Sequence, residues 1–174
     1  MITKSLSDII RFTLGKNPTR IRESDINLYT PEDFENDLHG ENESQDNLGC
    51  VINLIRSKAA PYSKNSKEKL ITSNFICCEF DQDKLDPWFF CYQFNEGKSF
   101  EQQIGMYHQG TTLSVKKLNV KIIGELKINL PDIKKQKSIG QLYRQSIIQN
   151  DLLLKQAEEK NNFIMTVIRK IEED

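Results

Sequence analysis

The sequence predicts an α+β protein: a mixed α/β globular part over residues 1–131, followed by one long coiled-coil helix over residues 132–174. Three observations carry this. Short β-branched and aromatic runs alternate with capped helical segments up to Pro131. After Pro131 the apolar period changes to alternating steps of four and three. The composition is that of a folded chain with an exposed appendage: 37% hydrophobic and 28% charged over 174 residues.

Each element follows from its own residues. In "SLSDIIRFTLGKNPTR", Ile10, Phe12 and Leu14 alternate and then stop at Gly15, a strand running into a turn. "YTPEDFENDLHG" reads as a helix. Thr30 is the N-cap, Pro31 opens the first turn among acids, Gly40 stops it, and Phe34 and Leu38 share one face. Residues 41–48 are polar loop. "CVINLI" and "KLITSNFICCEF" are strand-like, separated by a basic, turn-rich loop, "RSKAAPYSKNSKE". "DPWFFCYQFNEG" is a buried helix with Asp86 as cap, Pro87 opening and Gly97 closing, its aromatics belonging to the core. "SFEQQIGMYHQG" opens with Ser99 and Gln102 in capping-box spacing and ends at Gly110. "TTLSVKKLNVKIIGELKINLP" is a loop that admits a helical turn after Asn119, then a strand ending at Pro131.

The last segment carries Tyr143, Ile147, Asn150, Leu154, Ala157, Asn161, Ile164, Ile168 and Ile171 as a heptad seam over four repeats. A single helix of this kind, roughly 55 Å long, is not stable alone in water. It needs another helix, and buried asparagines in a seam fix register and partner number. Tyr143, Ile147, Asn150, Leu154, Ala157, Asn161, Ile164 and Ile168 are therefore the expected dimerisation residues, in an antiparallel homodimer.

Charge is segregated although the net charge is only −1. Bases dominate residues 1–22, 56–69 and 116–137, whereas residues 23–46 hold nine acids and no Lys or Arg. Such blocks can give one positive face. No catalytic set is found. Gly15-Lys16 lacks the rest of a phosphate-binding loop, His39 and His108 stand far apart, and "PD" at Pro131-Asp132 beside Glu125-Leu126-Lys127 has the wrong order for a metal-dependent nuclease. No cofactor or metal is expected, nor an enzyme. The four cysteines, Cys50, Cys77, Cys78 and Cys91, lack CxxC spacing and read as reduced, buried small hydrophobes. Without an N-terminal apolar stretch or a long apolar run, the expected location is cytoplasmic, away from membranes.

"QGTTLSVKKLNVKIIGELKINLPDIKKQKSIGQLY" resembles the end of a target recognition domain from the specificity (S) subunits of type I restriction–modification systems. Gly110-Thr111-Thr112, Leu118, Ile128-Asn129-Leu130-Pro131, Gln136 and Ile139 carry the likeness. "LGKNPTR" is similar to that family's turn after the first strand, and "LITSNFICCEFDQDKLDPWFFCYQFN" to its strand, turn and helix. The resemblance implies a non-catalytic DNA-recognition domain over residues 1–131 and a conserved spacer helix over 132–174. It implies as partners double-stranded DNA and methyltransferase (M) and restriction (R) subunits, to which the seam adds a second copy of this chain. Full-length members hold two recognition domains and two helices; with one of each, this chain is expected to be a half subunit that either pairs with a copy of itself, as the asparagine-marked seam favours, or is a remnant or regulator.

Base reading needs Arg, Lys, Asn, Gln, Ser or Thr on exposed loops, with lysines on phosphate. The expected DNA contacts are Lys16, Asn17, Thr19, Arg20 and Arg22 in the first basic loop. Arg56, Lys58, Tyr62, Ser63 and Lys64 form the second set, and Gln109, Thr111, Thr112, Lys116 and Lys117 the third. The acidic stretch 23–46 should lie off the DNA. The rival class is a scaffold that uses the helix for protein contacts alone.

Overall fold

Strands β3 (Cys50–Asn53) and β4 (Lys58–Pro61) form a hairpin that seeds the main sheet. Its turn is set by Asn53, whose Oδ1 accepts from the backbone N–H of Ile55 (3.0 Å) and Arg56 (3.1 Å). Ser57 closes it in the left-handed region, φ 53°. The computed structural model describes residues 2–17, 27–39, 49–63, 66, 68–108 and 118–173. Strand β1 is Ile2–Ser5, β2 is Arg11–Leu14, β5 is Phe75–Glu79 and β6 is Lys127–Leu130. The main sheet has the order β2-β5-β3-β4, antiparallel throughout, and β1 pairs with β6 in a separate antiparallel ribbon.

Strand alternation gives the main sheet two covered faces. On one, Val51, Ala60 and Phe75 pack with Tyr29, Tyr62 and Phe34, the last from helix α1 (Pro31–His39). On the other, Cys50, Ile52, Ile76 and Cys78 meet Phe89, Phe90, Cys91 and Phe94 of helix α2 (Pro87–Glu96). Helices α3 (Lys98–His108) and α4 (Val120–Glu125) add Phe100 and Ile123 to that core.

The caps explain these boundaries. Thr30 and Asp33 cap α1 reciprocally: Asp33 N–H donates to Thr30 Oγ1 (3.2 Å) and Thr30 N–H to Asp33 Oδ2 (2.9 Å). Asp86 Oδ1 accepts from Phe89 N–H at 2.8 Å, with Pro87 at the first helical position. Asn119 Oδ1 caps α4 through Ile122 N–H at 3.0 Å, the helical turn expected there. Ser99 departs from expectation. Helix α3 begins at Lys98, so Ser99 lies inside its first turn, and Gln103 Nε2 donates to its carbonyl and hydroxyl (3.2 Å each).

A second correction concerns the loop expected after Ile55: Lys58–Pro61 is a strand. Alanine has little strand preference, but Ala59 and Ala60 are fully buried and small enough to sit between the two layers. The outer edge of β4 is closed by Asn95 of α2. Its Oδ1 accepts from Ala59 N–H (2.7 Å) and its Nδ2 donates to Ala59 O (2.8 Å), standing in for a neighbouring strand.

The cysteines are all free. Cys50, Cys78 and Cys91 are buried, with Cys50 and Cys91 sulfurs 3.6 Å apart. Burial pushes the Cys50 and Cys78 thiols well up, and the half-buried Cys77 thiol to about 11, so they are held as protonated small hydrophobes.

The chain ends in helix α5 (Ile133–Glu173), capped by Asp132, whose Oδ1 accepts from Lys135 N–H at 3.0 Å. Its proximal half lies on α2.

Candidate nucleic-acid interface

The sheet register brings parts of two expected loops to one edge. Leu14 pairs with Ile76, Ile76 with Ile52, and Ile52 with Ala59. Hence the exit of β2, the entry of β5 and the β3–β4 turn lie side by side. Lys16 and Arg56 emerge from strands on either side of β5, roughly 10 Å apart at the strand level. Gly15 makes the first exit possible, because a Cβ there would lie 2.1 Å from Thr72 O. Lys16 is then anchored by its backbone: its N–H donates to Ile71 O (2.8 Å) and its carbonyl accepts from Ser73 N–H (2.9 Å). The side chains of Lys16 and Asn17 are exposed.

The other two cations of this edge are engaged by acids. Arg56 forms an ion pair with Glu35 of α1, and Lys58 Nζ lies 2.9 Å from Glu96 Oε1 of α2. Glu35 belongs to the acidic stretch expected off the DNA, so one acid of that stretch lies at this edge. Exposed pairs of this kind are worth about 0–1 kcal/mol, so either cation can exchange its carboxylate for a phosphate at small cost.

Tyr62 and Ser63 do not reach a groove. They leave β4 at its opposite end and are buried. Tyr62 hydroxyl donates to Ser66 O (2.8 Å), and the Ser63 and Ser66 hydroxyls are 3.0 Å apart. Ser66 and Tyr29 hydroxyls both donate to the buried Asp37 Oδ2, at 2.8 and 2.9 Å. Burial, then the nearby Cys77, Asp37 and Glu79, pushes the Tyr62 hydroxyl up to about 12. These side chains are structural because the β4 strand places them behind α1. Thr19, Arg20, Arg22, Lys64, Gln109, Thr111, Thr112, Lys116 and Lys117 lie outside the described residues.

The long helix divides. Over its first turns it is fitted to α2. Buried Gln136 accepts from Asp86 N–H at Oε1 (3.1 Å) and donates from Nε2 to Lys84 O (3.1 Å) and Pro131 O (2.9 Å). Gly140 allows the close approach: a Cβ would lie 2.4 Å from Asp86 Oδ1 and 2.8 Å from Phe89 N. Tyr143 packs edge-on against Trp88, and its hydroxyl accepts from Asn95 Nδ2 at 3.0 Å. Arg144 lies over the Trp88 ring, 5.8 Å from its centroid. His39 of α1 reaches Asp151 at 2.6 Å. Tyr143, expected in an intermolecular seam, is thus already half-buried against its own domain, and Ile147 is half-buried beside it. Asn150, Leu154, Ala157, Asn161, Ile164 and Ile168 are exposed. Gln136 and Gly140 are the residues that sequence reasoning missed as docking residues. An interior helix glycine was the available signal.

Among the described residues, no three His, Cys, Asp or Glu side chains converge as ligands for a metal ion. No described helix is long and apolar enough to cross a membrane.

No family model matches the sequence, and no curated protein matches it. Among solved structures, the crystal structure of the HsdS subunit from Thermoanaerobacter tengcongensis is similar, with a TM-score of 0.56 at 17% sequence identity. The likeness covers 90% of this chain and 39% of that one, so this chain spans about two-fifths of its length. At this identity the likeness is one of fold: this chain is a mixed helix-and-sheet unit continued by one long C-terminal helix.

Proposed function

We propose that this chain is a sequence-specific DNA-recognition subunit of a type I restriction–modification system. It carries no chemistry itself. It acts as a half subunit that dimerises through α5 and directs methyltransferase and restriction subunits to the target. The single observation behind this reading is the shared fold with an HsdS subunit over nearly the whole chain. The sheet edge that carries Lys16, Asn17, Arg56 and Lys58 supports it, being exposed, basic and turn-rich.

In this reading the first loop (Lys16 to Arg22), Arg56, Lys58 and Lys64, and the loop from Gln109 to Lys117 touch DNA. Lys64→Ala, a phosphate contact, weakens binding to all sequences and lowers the salt slope by about one unit. Arg20→Ala, a base reader, costs about 1–3 kcal/mol on the cognate site only. The test is DNA binding of the purified protein with its methyltransferase partner. A variant with all three loops changed to alanine loses affinity by orders of magnitude, and equal affinity would end the proposal.

Two readers on an antiparallel helix pair are related by a two-fold axis and see inverted half-sites. Methylome sequencing of cells carrying this protein and its methyltransferase should then return a split palindrome. A separation on the order of 50 Å corresponds to about 15 base pairs of straight DNA, less where loops reach inward.

One observation favours the scaffold reading: Arg56 and Lys58 are engaged by Glu35 and Glu96. A scaffold keeps its partner-subunit binding in the three-loop variant and shows no salt-dependent DNA shift in either form.

A further inference from the structure

The proposed pairing of α5 leaves open which residues meet, and the structure bears on that. Beside the seam, α1, α2 and α5 enclose a groove of about 800 Å³. Its lining includes Tyr143, Ile147 and Asn150 of the seam, Tyr92 of α2, and the Glu35–Arg56 and Lys58–Glu96 ion pairs. Tyr143, Ile147 and Asn150 belong to the proximal end of the seam, so the groove opens over the line along which a second helix would run. The distal end of the same helix carries exposed Leu154, Ile164, Ile168 and Ile171.

We infer that the Tyr143–Ile147–Asn150 side of the groove is covered by the distal α5 of a second copy, antiparallel, in the register that sets Asn150 of one helix against Asn161 of the other, with Arg56 and Lys58 left open to DNA. This rests on the homodimer proposed above and goes beyond it by fixing the register and the groove's occupant. In that register Leu154 faces Ala157, Ile147 faces Ile164 and Tyr143 faces Ile168, about 38 Å of shared helix. Every layer is then a like or size-complementary pair. Both buried asparagines meet an amide, which can donate and accept in return. Sliding by one heptad sets Asn150 against Leu154 and Asn161 against Tyr143, or Asn150 against Ile168 and Asn161 against Ala157, and so breaks both amide pairs, a cost of about 1–3 kcal/mol for each amide left without a polar partner. Parallel pairing also matches Asn150 with Asn150. It would, however, bring both globular domains to the same end, over the same face at Tyr143 and Ile147. Antiparallel pairing sends each distal end into the other copy's groove, where Ile164 and Ile168 cover Ile147 and Tyr143.

Cysteine pairing in the full-length chain tests this, on a Cys77→Ser background because Cys77 is the one half-buried thiol among the four. Asn150 and Asn161 are exposed in the chain, so substitution there leaves each protomer folded. N150C protein mixed with N161C protein should cross-link on mild air oxidation, and neither should cross-link alone. Self-linking of N150C would mean parallel pairing, and preferred linking of N150C to I168C or L154C would mean a shifted register. Either overturns the inference while sparing the homodimer. A chain monomeric by light scattering at tens of micromolar overturns both. In a charge exchange, N150K and N161E each weaken the dimer about tenfold or more, and combined they restore it because the new charges face each other. Failure of the combination to restore the dimer contradicts the register.

Discussion

The two halves of α5 are one continuous helix, yet their side chains live in different worlds. Residues 133–151 are fitted to the domain by a buried glutamine, a glycine without room for a methyl group, a tyrosine hydroxyl bonded to Asn95, and a histidine contact at Asp151. Beyond Asp151 every described residue is exposed, although Leu154, Ile164 and Ile171 are 62%, 55% and 70% accessible and strongly apolar. The proximal half is specified by polar fit and close approach, which work only against one partner surface. The distal half carries an exposed apolar periodicity, which in the proposed pairing is covered by a second copy. A long helix can thus be a fixed part of a domain at one end and a docking element at the other.

This contrast can be broken from either side. The largest effect is expected from Leu154→Asp with Ile164→Asp. Placing four carboxylates in a shared seam should cost the dimer about 5 kcal/mol or more. It should yield folded monomers by light scattering, with the urea midpoint of the monomeric domain unchanged. Gly140→Val should act the other way. The new side chain meets backbone and Trp88 Cβ at 2.8 Å, so α5 must lift from α2. A loss of about 3 kcal/mol in urea denaturation is expected. Gln136→Leu should cost about 2 kcal/mol, since Asp86 N–H and the carbonyls of Lys84 and Pro131 lose their partner.

The smallest effect concerns pH, and it lies away from the helix, at the cap of α1. Burial alone would raise Asp33, but hydrogen bonds from Lys69 (2.6 Å) and Thr30 outweigh it and hold its carboxyl below the usual range. A lowered folded-state pKa means stability that is present above about pH 4 and lost as pH falls through the folded value. The pair is partly exposed, so Asp33→Asn should cost no more than about 1 kcal/mol at pH 7, and the difference from wild type should vanish in acid.

How much of this was legible in the sequence follows the range of the interaction. The starts of α1 and α2 were readable at Thr30-Pro31 and Asp86-Pro87, because a cap bonds backbone three residues away. The β3 and β5 strands were readable from their β-branched and aromatic content. Strand β4 was not, because Lys58-Ala59-Ala60-Pro61 becomes a strand through β3 on one side and Asn95, far along the chain, on the other. The burial of Tyr62 and Ser63 was hidden for the same reason. In a loop they would point outward, but leaving a strand behind α1 they point in. The long helix was readable from its period, but periodicity does not say that Tyr143 packs on Trp88 and bonds Asn95 of its own domain. The docking role of Gly140 and Gln136 was hidden because it depends on α2, which lies far back in the chain.

The measurement that tests the division of α5 most directly is amide hydrogen exchange along residues 133–173, in wild type and in the Leu154→Asp, Ile164→Asp variant. In wild type at tens of micromolar, both halves should be protected. In the variant, the amides of 133–151 should keep their protection while those of 152–173 exchange near the rate of a fraying helix. Protection that survives over 152–173 in the variant, or that collapses together over both halves, would contradict the account.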